Sequence, residues 1–308
     1  MKGSNDMAEG FVILAIIVII LIVTWTGTPN SQTTAPSVTG DTELSSSSSG
    51  ADYAAASAPS TQYVYLGTGN ASYAYQPYEE YITINNGGDN PINITGWRLK
   101  NDKDQRAYDI GGSLRYFPAD IAVIGQAAPF VSPSGRNLSQ NVILKAGETA
   151  VITTGSVGSQ SPYRIVSFKE NKCSGFLEDL PEYAFTPPLT RNCPRPADEP
   201  GVTALDTECR RFIEGMSPCR TPAFDTRDAE GDICHDCADG KLLSSSCVVF
   251  IKSHFNYNSC IANHVDDPDF SGQTWRIFLG MGWEMWAEAY ETIELFDQLG
   301  RSINRQTY

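Results

Sequence analysis

Cys234-His235-Asp236-Cys237 is the sharpest chemical motif in the chain. A C-x-x-C pair can carry thiol–disulfide redox chemistry when it opens a helix in a thioredoxin-like βαβ unit, and nothing around it resembles that unit. It can supply half of a zinc site, with Cys219, Cys247, His254 or His264 completing the set. Third, each of the two cysteines can join a separate structural disulfide, which is the expectation adopted here. His254 and His264 flank Cys260, but a Cys–His dyad needs a free thiolate, and Cys260 has seven possible cystine partners. Two acidic clusters, Asp266, Asp267 and Asp269, and Asp225, Asp228, Glu230 and Asp232, lack the spacing of a calcium-binding loop and read as solvated. Paired carboxylates could serve glycoside hydrolysis only at separations that a sequence does not show. Trp275, Trp283 and Trp286 crowd one segment with Phe278, Met285 and Tyr290. Coplanar exposed aromatics stack on sugars, but such residues are more often core, and core is the expectation for them and for Trp97.

The eight cysteines are Cys173, Cys193, Cys209, Cys219, Cys234, Cys237, Cys247 and Cys260. An even number within one short stretch reads as a disulfide framework in an exported protein, with pairing open among 105 possibilities. Export has its own signal. Phe11 to Trp25 is an uninterrupted apolar run. As a helix it would span roughly 25 Å, short of a full bilayer but workable with thinning or snorkelling. An uncleaved membrane anchor is the expectation, and a cleaved signal peptide the alternative. Gly10-Phe11 superficially matches a type IV pilin processing site, but Ala15 stands where such proteins carry a glutamate. Residues 29–62 are rich in Ser, Thr, Ala and Pro and cannot bury enough surface to fold, so they read as a stalk of about 30 Å r.m.s. reach. A net charge of −14 repels phosphate backbones and argues against nucleic acid as a partner. Asn70, Asn93 and Asn137 sit in N-x-S/T contexts, relevant only where asparagine is glycosylated.

The elements that must position these residues are short strands between turn signals. Tyr63–Leu66 and Tyr81–Ile84 read as strands, and Asn85-Asn86-Gly87-Gly88-Asp89-Asn90-Pro91 as a turn. Alternation follows at Ile92 and Ile94 and at Trp97–Leu99, then at Asn141–Leu144, Thr149–Thr153, Tyr163–Phe168 and Glu291–Phe296. Leu205, Cys209, Phe212 and Ile213 share a helical face, with Thr203 or Asp206 as cap, and Val248–Ile251 and Cys260–Val265 are further helix candidates. Such strand spacing suggests an antiparallel sandwich.

YEEYITINNGGDNPINITGWRLKN, from Tyr78 to Asn101, resembles the opening of a lamin tail domain: strand, Asn-Gly-Asp turn, and a strand through Gly96-Trp97-x-Leu99. VILKAGETAVITTG is similar to that family's apolar strand, Gly-Glu turn and next strand, and ETIELFDQLGRSI to its closing strand. The resemblance covers about 75–155 and 272–304. It implies an immunoglobulin-like β-sandwich of the bacterial, surface-attached kind, and supplies no catalytic residues.

The resulting expectation is mainly β. It comprises a membrane anchor or signal segment over 1–28, a linker over 29–62, and a lamin-tail-like sandwich over 63–170. A partly helical cysteine-rich insertion follows over 171–270, and a closing part over 271–308. The expected role is a membrane-anchored, extracytoplasmic, non-enzymatic binding or structural module. Its partners would be the membrane, through the N-terminal helix, and an extracellular protein or glycan, with no cofactor and no metal. The alternatives are an exported metal-dependent protein or enzyme using zinc or calcium in the insertion, a pilin-like filament subunit, and secretion after signal cleavage.

Overall fold

The structure, a computed structural model, describes residues 61–104, 106–157, 165–227 and 231–308, and only the backbone of 225 and 226. The apolar run 11–25 and residues 29–60 of the expected 29–62 linker lie outside these residues, whereas the last two, Thr61 and Gln62, belong to a 3-10 turn. Among the described residues no helix is long and apolar enough to cross a membrane.

In chain order the strands are β1 (Val64–Gly67), β2 (Tyr81–Asn86), β3 (Ile92–Asn93), β4 (Arg98–Lys100), β5 (Arg106–Ile110), β6 (Ser113–Phe117), β7 (Ile121–Val123) and β8 (Ile143–Leu144). They continue with β9 (Thr149–Thr153), β10 (Phe168–Asn171), β11 (Phe224–Arg227), β12 (Ile233–Ala238), β13 (Lys241–Leu242), β14 (Ser271–Phe278), β15 (Thr292–Phe296) and β16 (Ser302–Thr307). The α-helices are α1 (Gly175–Glu178), α2 (Thr207–Glu214), α3 (Ser245–His254) and α4 (Tyr257–His264).

One sheet has the order β1-β2-β9-β14-β10 and the other β16-β15-β4-β7. Side chains alternate across a strand, so β2 turns Ile82 and Ile84 inward. They meet Ile152, Trp275 and Ile277 of their own sheet and Leu99, Ala122, Ile293 and Leu295 of the opposing one in a single core. Trp97 lies in the same core, as expected. The β9–β14 pair is parallel, Thr149 opposite Thr274, while its neighbours in this sheet are antiparallel.

The outer face of the five-stranded sheet is covered too. Val151, Arg276 and Phe168 stand side by side across β9, β14 and β10. Phe168 packs edge-on against Phe185, and Arg276 donates to the carbonyls of Pro187 and Pro188. Burial on both faces is why Thr149–Thr153 reads as a nearly unbroken apolar run.

Several expected strands shift. The strand read at Tyr163–Phe168 begins only at Phe168, because its ladder partner is Arg276, and its earlier part includes residues outside those described. The first strand starts at Val64, since Thr61–Tyr63 form a 3-10 turn. The hairpin β5–β6 has no counterpart in the expected elements. Its signal was Gly111-Gly112, both with positive φ (60° and 80°), which suits a two-residue turn whose central residues need left-handed backbone. Asn70 is buried, bonding Glu79 and Tyr81 main chain, so of the three N-x-S/T asparagines only Asn93 and Asn137 present surface.

Residues 172–270 leave β10 beside the point where β14 begins: Asn171 pairs with Ser271, and Lys172 N–H donates to Phe270. The Lys172 ammonium bridges Asp267 at 2.8 Å and Asp269 at 2.5 Å, closing the neck of this segment. Two small cores fill it, one around Phe176, Leu177, Tyr257 and Ile261, the other around Phe212, Ile213, Val248 and Ile251.

Helices α2 and α3 begin alike. Asp206 caps α2 by accepting from Cys209 N–H, and Ser244 caps α3 by accepting from Cys247 N–H. The Ser244 hydroxyl also donates to Asp206, and Cys209 is bonded to Cys247, so two first turns are tied by caps and cystine together. Gly175 has no room for a side chain, because a Cβ would collide with Cys219 Sγ and the Arg191 backbone.

All eight cysteines are paired: Cys173–Cys260, Cys193–Cys219, Cys209–Cys247 and Cys234–Cys237. Their separations are 87, 26, 38 and 3 residues. By loop-closure entropy these contribute about 4.6, 3.5, 3.9 and 1.6 kcal/mol. Denaturant unfolding of the Cys173→Ala/Cys260→Ala double variant should therefore show the largest loss among the four pairs, about three times that of Cys234→Ala/Cys237→Ala. Equal losses for these two variants would show that native contacts, rather than loop closure, set the order.

Candidate functional site

The sequence-predicted chemistry does not assemble. Cys234 and Cys237 bond each other instead of joining separate disulfides. The reason is local: Thr226 pairs with Cys234 and Phe224 with Ala238, so between these pairs one residue of β11 opposes three of β12, and the extra residues bulge and bring the two sulfurs together. Cys260 is bonded to Cys173, which removes the Cys–His dyad. His254 stacks on Phe250 at 3.9 Å and bonds that residue's carbonyl. His264 lies between Asp267 (2.8 Å) and Glu199 (2.9 Å). Bonds from Lys172 and then His264 hold the Asp267 carboxyl below its ordinary range. The cluster Asp266, Asp267 and Asp269, expected to be solvated, thus supplies the clasp on Lys172. Of the second cluster, Asp228 and Glu230 lie outside the described residues. Among the described residues no group of three or more His, Cys, Asp and Glu side chains is placed to hold a metal ion.

What the structure does assemble is an exposed aromatic surface at one end of the sandwich, built on the loop 279–291. That loop is pinned from beneath. Glu80 accepts from Met285 N–H (2.8 Å) and Trp286 N–H (3.2 Å). Asn101 donates to the Met285 carbonyl, and Glu291 accepts from Asp102, Ala287 and Thr292 N–H groups. Met285 and Trp286 point into the core. Trp275 is core as well, its indole N–H reaching Glu148.

Two residues expected in the core are not there. Trp283 is 54% exposed, with its indole N–H on Asp120 (3.1 Å). Tyr290 is 88% exposed and has left-handed backbone (φ 56°), a conformation that costs a non-glycine residue energy and that clusters at functional positions. Next to it Glu291 is buried, its carboxylate accepting from three backbone N–H groups and pairing with Arg106 at 3.8 Å, while Tyr290 turns outward with its carbonyl held by the same Arg106.

Arg106 also opens β5, and Asp120 follows β6, so the hairpin rises beside Trp283 and Tyr290. Neither strand buries a residue. Tyr108 and Phe117 meet edge-on at 5.7 Å on one face, with Ile110 and Arg115, while Tyr116 and Leu114 occupy the other. An isolated two-stranded hairpin is marginal in water, so this one gains nothing from a core and holds Tyr, Phe and Arg in solvent. That composition, aromatics with arginine, is the one enriched at protein contact centres, and aromatic faces also stack on sugars.

The family model for the Lamin Tail Domain matches residues 60–179. The chain is thus similar to lamin tail domains over that segment, and the match ends well before the strands β14, β15 and β16, which the structure places in the same two sheets. No curated protein and no solved structure matches the chain.

Glu80 yields a pH test. Burial pushes its carboxyl above the ordinary 4.5, and the backbone donors of Met285 and Trp286 pull it only part of the way back. The native state thus binds this proton more tightly than the unfolded chain. Its stability contribution is full below about pH 4.5 and is lost as the pH rises through the native pKa. Urea unfolding from about pH 4 to about pH 8 should show wild type losing stability relative to Glu80→Gln, which has the shape without the charge. A difference that grows in wild type's favour with pH would contradict this.

Proposed function

We propose that the chain is a membrane-anchored, extracytoplasmic binding module with no catalytic activity. Its contact surface is the hairpin β5–β6 together with Trp283 and Tyr290. The observation that carries this reading is the exposed aromatic hairpin on an otherwise well-filled sandwich. Large contiguous apolar exposure on a folded domain marks interaction sites. The likeness to lamin tail domains supports a structural, non-enzymatic role, and four disulfides support an oxidising compartment outside the cytoplasm. The apolar run Phe11–Trp25 would hold the chain to the membrane and residues 29–60 would act as the stalk. The partner is an extracellular protein or glycan, since the chain's net charge of −14 disfavours nucleic acid.

The full chain and a Tyr108→Ser/Tyr116→Ser/Tyr290→Ser variant would be compared on glycan arrays and by cell-surface cross-linking. Tyr116 and Tyr290 are solvent-exposed, so stability should change by no more than about 0.5 kcal/mol at each, and loss of the Tyr108 contact with Phe117 should add about 0.5–1.5 kcal/mol. Captured ligands or neighbours should weaken by about tenfold or more, equivalent to about 1.4 kcal/mol. Undiminished capture by the variant would remove the contact surface from this end of the sandwich.

A further inference from the structure

The fourth disulfide differs from the other three in every respect that decides whether a disulfide is structural. Cys173–Cys260 joins the end of β10 to α4, Cys209–Cys247 joins α2 to α3, and Cys193–Cys219 joins two loops. All six of those cysteines are buried, at 8% exposure or less. Cys234–Cys237 joins two positions of one strand, three residues apart, so it fastens no element to another. Backbone pairings flank it on either side, Thr226 with Cys234, Phe224 with Ala238 and Cys237 with Leu242, so the strand is also held by its ladder. Its two sulfurs are also unequal. Cys237 is 1% exposed, whereas Cys234 is half-buried between exposed Ile233 and His235.

We propose that Cys234–Cys237 is an exchangeable disulfide whose substrate is an external dithiol. Thiol–disulfide exchange requires a thiolate to reach one sulfur in line, and only Cys234 is open to approach. The incoming thiolate bonds Cys234 Sγ as the Cys234–Cys237 bond breaks, and Cys237 departs as a thiolate and takes up a proton. The second thiol of the donor, deprotonated, then attacks the mixed disulfide at the donor's own sulfur and releases Cys234. The donor is oxidised to its disulfide and the pair is reduced to two thiols, a transfer of two electrons and two protons. Cys237, buried and held three residues away, is the resolving thiol for the reverse reaction. Reduction leaves the strand pairings in place, so both states are folded.

The full chain in detergent would be treated with graded dithiothreitol under native conditions, quenched with an alkylating agent and mapped by mass spectrometry. A parallel arm would use reduced glutathione, a monothiol. A species with two alkylated cysteines at 234 and 237 should form about tenfold or more faster than any other, following sulfur accessibility. Glutathione should leave an adduct on Cys234 alone. The Cys234→Ser/Cys237→Ser variant should keep its cooperative unfolding and yield no early dithiol species. An early pair at other positions, simultaneous opening of all four bonds, an adduct on Cys237, or a variant that no longer folds would each overturn the proposal.

Discussion

The guanidinium of Arg276 is buried, and the structure depends on its being satisfied. Its Nε donates to Glu170, itself buried, and its two terminal nitrogens donate to the carbonyls of Pro187 and Pro188. Taking such a charge out of water costs several kcal/mol unless each donor finds an acceptor, and removing one partner typically costs about 3–5 kcal/mol. Arg276 lies on β14, Glu170 on β10, and the two prolines in the cysteine-bearing segment. Glu170 spends its other oxygen on Thr190 N–H. One charge thus welds the outer face of the five-stranded sheet to the chain that covers it. A second buried pair, Lys169 with Glu148 at 2.6 Å, does the same between β10 and the turn before β9.

The sandwich was legible where local signals agree. Tyr81–Asn86, Thr149–Thr153 and Thr292–Phe296 combine β-branched residues with flanking Gly, Asn and Asp turns, and each forms a strand. Asp206 was readable as a cap because the apolar face of α2 starts immediately after it. What escaped was decided by distant partners. The start of β10 is set by a strand that arrives a hundred residues later, and cystine pairing by how helices pack. Trp283 and Tyr290 were assigned to the core by residue type. Nothing local shows that Glu80, Asn101 and Glu291 seize the loop backbone and draw only Met285 and Trp286 inward. The exposed hairpin had a signal, Gly111-Gly112 between two short segments that mix aromatic and aliphatic residues with charged ones. Its function-bearing quality, the lack of burial on either face, is invisible without the surrounding fold.

The rigid and the exposed parts of the molecule are linked. Three long-range disulfides and two buried ion pairs hold the frame. The aromatic end is fixed by carboxylates accepting backbone N–H groups, with donors from β4's end and the hairpin's base. A surface held this way loses little conformational freedom on contact, and preorganisation of that kind favours binding more than added area does.

The topology also dictates an order of events during synthesis. β14 must slot between β9 and β10, and β15 must pair with β4, yet both are made only after the whole cysteine-bearing segment. Pairings so remote in sequence are slow to form. Until they do, β9 and β10 present open edges that invite association with other chains. The ribosome therefore delivers the first two-thirds of the sandwich as an unfinished sheet. In the finished fold the Cys173–Cys260 bond lies at the neck where β14 enters beside β10, so it fastens the late strand at the place where it must insert.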